Sequence, residues 1–211
     1  MRNLILPFIY LLSSAAVFAE APVQSASEKL RVEGTVLVFD TETGPDDREI
    51  ETADVAVMRD LLRANPSVRL LRLNSGGGSV YAADDLARIV ADYNLDTEVD
   101  GKCTSSCVTV FLGGKVRSMT QGSAIGFHSR WWSAEDIARY YEDNKVEEGW
   151  TTPFALGSWI YEDTQGEVYR ALRYVISRGV DPEFAIEMHA QREQMWYPTR
   201  AELEAAGLLR R

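Results

Sequence analysis

Between residues 34 and 129 the chain switches again and again between β-branched runs and helix-periodic runs. That alternation limits the fold more than any other feature. "GTVLVFD" (residues 34–40) reads as a strand. From residue 52 to 64, Val55, Met58, Leu61 and Leu62 recur at helical spacing, with Thr52 as a candidate cap and Asn65-Pro66 as the stop. "VRLLRLNS" (68–75) is a second strand, followed by Gly76, Gly77 and Gly78. Ser79 opens a helix reaching Tyr93, with Leu86, Ile89 and Val90 on its apolar side. "LDTEVDG" is a third strand ending at Gly101, residues 103–112 are a turn and then a buried helix, and "SAIGFHS" (123–129) is a fourth strand. The order β-α-β-α-β-α-β predicts an α/β domain with a mostly parallel β-sheet and right-handed crossover helices.

The N-terminus has a separate logic. Arg2 is the only charge before Glu20, an apolar run follows from Leu4 to Leu12, and Val17-Phe18-Ala19 forms a small-x-small site. This pattern predicts a secretory signal peptide over 1–19, cut after Ala19. The apolar run falls short of the roughly 20 residues that span a bilayer. No cysteine follows the cut to accept a lipid. Residues 20–30 read as a flexible leader and 31–211 as one α/β domain. The expected location is the periplasm or the exterior. The chain has 22 basic and 32 acidic residues. Such a balance argues against nucleic acid or an anionic membrane as partner.

Two cysteines are present, Cys103 and Cys107. In an oxidising compartment the pair is first a disulfide candidate. The rival is zinc, which would need both cysteines together with His128 and His189. Residues 130–166 hold four of the five tryptophans, Trp131, Trp132, Trp150 and Trp159. This stretch reads either as a substrate-facing or subunit-facing insertion, or as a helical layer whose aromatics cover the sheet. Two further helices are expected over 167–180 and 182–192, with Asp181 capping the second. Thr199 and Glu202 form a capping-box pattern near the end.

Three places could carry chemistry. A glycine run between strand and helix exposes backbone N–H groups, which can cradle a phosphate or line an oxyanion hole. The run matches neither GxxxxGK[ST] nor GxGxxG. In "GKCTSSCVTVFL" (101–112), Thr104 and Ser105 are expected in the turn before a helix, either as capping hydroxyls or with one serving as a nucleophile. A base would have to be His128, at a strand end, or His189, among Phe184, Ile186 and Met188 in an expected helix, where a packed or surface role fits better.

"LNSGGGSVYAADDLARIV", "VDGKCTSSCVTVFLGG" and "AIGFHS" together resemble the proteolytic subunit of the Clp protease family, in the Clp/crotonase superfamily. The resemblance covers roughly residues 34–128 and 195–209. It implies a nucleophile at Ser105, four residues after Gly101, a general base at His128, and an oxyanion hole from Gly78 and Ser106, with Gly77 beside them. Gly76 stands where the family has proline. The acid that orients the histidine falls on Met195, with Glu193 two residues away as a candidate substitute. The flanking cysteines depart from cytosolic members and suit an exported relative in which a Cys103–Cys107 bond locks the turn.

The resemblance implies a serine peptidase without cofactor or metal, acting on peptides or unfolded protein and self-associating. Export removes it from ATP, so no ATP-dependent unfoldase partner is expected. Two alternatives remain. One is a crotonase-like enzyme of coenzyme A thioesters, which export disfavours. The other is a catalytically silent Clp/crotonase-like binding protein of the cell envelope.

Overall fold

Leu37, Phe39, Leu71, Leu73 and Val99 have no solvent exposure and mark the centre of a seven-stranded sheet. The computed structural model describes residues 24–25, 29–43, 48–192 and 194–210. The strands are β1 (Gln24–Ser25), β2 (Leu30–Glu33), β3 (Val36–Asp40), β4 (Leu70–Ser75), β5 (Asp96–Thr104), β6 (Arg117–Met119) and β7 (Ala124–Gly126). The helices are α1 (Thr52–Ala64), α2 (Val80–Asp92), α3 (Cys107–Leu112), α4 (Ala134–Asn144), α5 (Pro153–Ser177), α6 (Pro182–Glu187) and α7 (Arg200–Ala205).

β1, β2 and β3 pair antiparallel, whereas β3, β4 and β5 pair in parallel through the crossovers α1 and α2. β5 then carries two partners on successive stretches. Thr97–Val99 pair with β6, and Lys102–Thr104 pair with β7, both parallel. This is the mostly parallel α/β architecture that the alternation predicts.

α2 shows why these residues make these elements. Ala82, Ala83, Leu86, Ala87, Ile89 and Val90 form one buried stripe, and Ser79 Oγ accepts the Ala82 N–H at 3.3 Å. The alanines let the helix lie close to the sheet, while each buried Leu, Ile or Val contributes about 1.5–3 kcal/mol. α1 buries Met58, Leu61 and Leu62 in the same way. Its cap residue is Glu51, not Thr52, because Asp54 Oδ2 reaches back to the Glu51 N–H at 2.8 Å.

Several boundaries differ from the sequence reading. Lys29 and Leu30, read with the leader, are buried and belong to the folded domain. β5 runs on to Thr104, three residues past Gly101. At that point Asn74 Oδ1 accepts the Lys102 N–H at 3.0 Å and fills the register shift between β4 and β5. α5 extends 25 residues, far ahead of the start expected at residue 167. α6 stops at Glu187 rather than 192. Residues 1–19, read from sequence as a signal peptide, lie outside the described residues.

The C-terminal segment is tied down by Arg117, which is 1% exposed. Its Nε donates to Leu208 O at 2.7 Å, and Nη2 to Gly207 O at 2.7 Å and Arg178 O at 3.1 Å. Burial, then the Arg178 and Arg210 charges, pull its pKa down to about 10. Among the described residues, no helix is long and apolar enough to cross a membrane.

Candidate active site

Ser105 stands between the end of β5 and the start of α3 with φ +56°, in the left-handed region. A residue with a Cβ holds that conformation at a cost of roughly 1–2 kcal/mol, so its surroundings must fix it. Three contacts do so. A disulfide joins Cys103, on the strand, to Cys107, the first residue of the helix, with a Cα–Cα distance of 5.3 Å. The Ser105 N–H donates to Gly126 O at 3.2 Å, and the Val108 N–H to Ser105 O at 3.1 Å. With both sulfurs bonded to each other, the zinc alternative loses two of its ligands.

His128 follows β7 by two residues. Because Thr104 pairs with Gly126, Ser105 and His128 emerge from adjacent strands at the same end of the sheet. Their side chains meet, with His128 Nε2 2.8 Å from Ser105 Oγ. On the other side of the ring, Nδ1 lies 2.9 Å from Ser129 O. A carbonyl can only accept, so Nδ1 carries the proton and Nε2 offers its lone pair to the serine hydroxyl.

The glycine run lies directly against this turn. A Cβ on Gly77 would come within 2.9 Å of Ser105 Cβ and 3.1 Å of Ser106 N. Almost every polar backbone atom of the run has a partner. The Gly76 N–H donates to Glu42 Oε1 at 2.7 Å, and Gly76 O accepts from Thr104 Oγ1 at 3.0 Å. The Gly77 N–H donates to Ser75 Oγ at 3.1 Å, while Gly77 O accepts from the Ile50 N–H at 2.8 Å. Gly78 O accepts from Ser106 Oγ at 3.0 Å. The Gly78 N–H is left without an acceptor among the described residues, and so is the Ser106 N–H. Backbone donors go unpaired at a cost unless water or a ligand takes them, and these two belong to the residues the resemblance singles out.

The segment that the resemblance assigns to the orienting acid runs beside the strand that ends in His128. Phe127 and Trp196 exchange backbone hydrogen bonds at 2.9 and 2.8 Å beside the histidine. That register places Met195, which has no carboxylate, next to the bridge. Glu193 lies outside the described residues. Among the described residues, the only hydrogen-bond partner of His128 Nδ1 is the Ser129 carbonyl.

The tryptophans of residues 130–166 stand outside the hydrophobic core. α4 buries none of its residues. Instead, Trp132, Tyr140, Trp150 and Trp159 pack on one another with ring centroids 5.1 to 6.1 Å apart. Trp131 is 75% exposed and Phe154 87%. Arg130, two residues past the histidine, forms a 2.7 Å ion pair with Glu167 in the middle of α5. Among the described residues, no hydrogen bond joins His189 to the Ser105–His128 pair. Its Nε2 is buried without a partner, and burial, then the Arg130 charge, push its pKa down.

Sequence reasoning missed the residues that shape the glycine run. Thr104 reads as a capping hydroxyl and Ser106 is singled out only for its backbone N–H, yet α3 has no side-chain cap and the hydroxyls of both reach across to the loop carbonyls. The pairing of Thr41 Oγ1 with Ser75 Oγ at 2.9 Å, and of Glu42 with Lys102, joins residues more than thirty or fifty positions apart, so local pattern gives no sign of it.

No protein-family model and no curated protein matches the sequence. Solved structures do match. One is a point mutant of ClpP1 from Listeria monocytogenes, which covers 83% of this chain and 89% of its own length, with a TM-score of 0.54 and 14% identity. The chain therefore has a Clp protease-like fold, and at this identity the likeness is one of fold.

Proposed function

We propose that this chain is a serine hydrolase that cleaves peptide bonds, with Ser105 as nucleophile and His128 as general base. The observation that carries the reading is the 2.8 Å Ser105–His128 contact beside two unfilled backbone donors. Ser105 Oγ forms a bond to the scissile carbonyl carbon while its proton passes to His128 Nε2. The carbonyl π electrons move onto oxygen, and the Gly78 and Ser106 N–H groups take that charge. The C–N bond then breaks, and His128 returns the proton to the departing amine. A water, deprotonated by the same nitrogen, releases the acyl group and restores Ser105. The Ser129 carbonyl does the orienting that a carboxylate does in a triad, without adding negative charge beside the imidazolium. The site thus works as a dyad. No step calls on a cofactor or metal.

The substrate class is peptide or unfolded protein, by likeness to the Clp fold. The charge pattern of residues 1–19 supports export to the periplasm, where no ATP-driven unfoldase would feed it. The exposed aromatics of α5 and residue 131 support self-association. A second reading, a silent binding protein, is favoured by Met195 at the acid position.

The test is labelling of the purified protein with a fluorophosphonate probe and mass mapping of the adduct. An adduct on Ser105 that disappears in Ser105→Ala and His128→Ala is expected. A folded protein that takes no label would refute the hydrolase and leave the binding protein.

A further inference from the structure

Lys29 is a buried lysine that the chemistry above does not use. It is 8% exposed and sits on β2's approach, far in sequence from the site. Its Nζ donates to Glu49 O at 3.0 Å, to Glu51 Oε2 at 2.6 Å and to Asp54 Oδ2 at 2.9 Å. One ammonium therefore grips both sides of Ile50 and the first turn of α1. Burial opposes its charge, but the Glu51 and Asp54 carboxylates outweigh burial and hold its pKa above the usual lysine value.

Ile50 in turn holds the glycine run. Its N–H donates to Gly77 O at 2.8 Å, and its carbonyl accepts the Ser79 N–H at 2.8 Å. The Gly77–Gly78 peptide is trans, as are the others described. In a trans peptide, C=O and N–H point in opposite directions. Pulling Gly77 O toward Ile50 therefore aims the Gly78 N–H the other way, into the space beside Ser105. The fit leaves no slack. A Cβ on Gly78 would lie 2.5 Å from both Ile50 N and Ile50 O.

We infer that Lys29 is a positioning residue for the oxyanion hole, acting through Glu49–Glu51 to set the direction of the Gly78 N–H. The inference rests on the serine hydrolase reading and adds to it a determinant on the opposite side of the glycine run. Lys29 touches no reacting atom. Its contribution falls on the charge-stabilising step and leaves ground-state binding alone.

The experiment compares wild type, Lys29→Met, and the pair Lys29→Met/Asp54→Asn. The pair leaves no uncompensated buried carboxylate, and the asparagine oxygen still accepts the Glu51 N–H. Fluorophosphonate inactivation is followed to saturation, well below each melting temperature, to separate kinact from KI. Removing an oxyanion donor outright costs about a hundredfold to a thousandfold in rate, so a misdirected one should lower kinact about tenfold to a hundredfold. KI should stay within about twofold. In hydrogen exchange, the Ile50 and Ser79 amides should lose protection in both variants. The pair should recover melting temperature without recovering kinact. A pair that labels at the wild-type kinact would overturn the positioning role and make Lys29 a stability residue only. Wild type that takes no label on Ser105 would overturn the hydrolase reading, and the positioning role with it.

Discussion

Replacing both Cys103 and Cys107 by alanine should weaken the fold and slow Ser105 by separate routes. The bond closes a loop at sequence separation 4, which in the chain-entropy description is worth about 2 kcal/mol. Both cysteines are fully buried in the core, and losing each sulfur removes burial worth roughly 0.8 kcal/mol. The sum is about 3–4 kcal/mol, or a melting temperature lower by about 6–16 °C for a domain of this size. The rate effect comes from φ +56° at Ser105. Holding that conformation costs about 1–2 kcal/mol, comparable to what the bond supplies. Without the bond the left-handed turn competes with relaxed ones, and a shift of about 1.4 kcal/mol is tenfold in rate. Thermal melts of the double variant and of wild type, with thiols counted in each, measure the first effect. Fluorophosphonate labelling at a temperature where both are folded measures the second. A double variant that melts within about 1 °C of wild type and labels at the wild-type rate would refute the reasoning.

Other outcomes rest on the same geometry. Gly78→Ala must place a Cβ 2.5 Å from the Ile50 backbone at φ +142°, so labelling of Ser105 should fall by about a hundredfold or more. Ser106→Ala keeps the backbone N–H but frees Gly78 O, so it should label more slowly than wild type yet still on Ser105, as mass mapping would show. Arg117→Ala leaves the carbonyls of Gly207, Leu208 and Arg178 without their donor. At about 1–3 kcal/mol per buried unpaired group, chemical denaturation should show a loss of at least about 3 kcal/mol. His189 has its pKa pushed below 6.5 by burial, then by Arg130, so the unfolded chain takes up a proton that the folded chain refuses. Stability should be fully present above pH 6.5 and decline as the pH falls through that value toward the folded pKa. Urea midpoints between about pH 7.5 and 5 should record the decline, and His189→Gln should reduce it.

The sheet's central strands and crossovers were legible because each carries enough residues to show its own period. β4 and α2 alternate or recur over six and thirteen residues. β6 and β7 have three residues each. β6 shows no period of its own and exists because β5 offers it an edge, whereas β7 was legible as "AIG" ahead of the histidine. The first half of α5 was hidden by Gly157 and Gly166, which punctuate a pattern that tertiary contacts nonetheless keep helical. At the site, the reacting residues stood out because a glycine run, a serine after Gly101 and a strand-end histidine are chemically loud. The supporting roles of the Thr104, Ser75 and Ser106 hydroxyls were silent, since a hydroxyl that pins a loop carbonyl, as Thr104 and Ser106 do, or holds a loop N–H, as Ser75 does, has the same local signature as a cap. The glutamate at the start of α1 was missed because Thr52 is the better capping residue by type, whereas Glu51 is favoured by the Asp54 carboxylate that accepts its N–H and by Lys29, at sequence distance 22.

The split edge of β5 turns the reactive distance into a question of alignment. Only three residue pairs, Lys102 with Ala124, Cys103 with Ile125 and Thr104 with Gly126, connect the strand that carries the serine to the strand that carries the histidine. A slip of one position along that short ladder would displace His128 by about 3.3 Å and send its ring to the other face of the sheet. No intermediate setting exists, because the ladder advances in whole residues. Nucleophile and base are thus spaced by a ruler with integer marks, and the chemistry is either fully in gear or wholly disengaged.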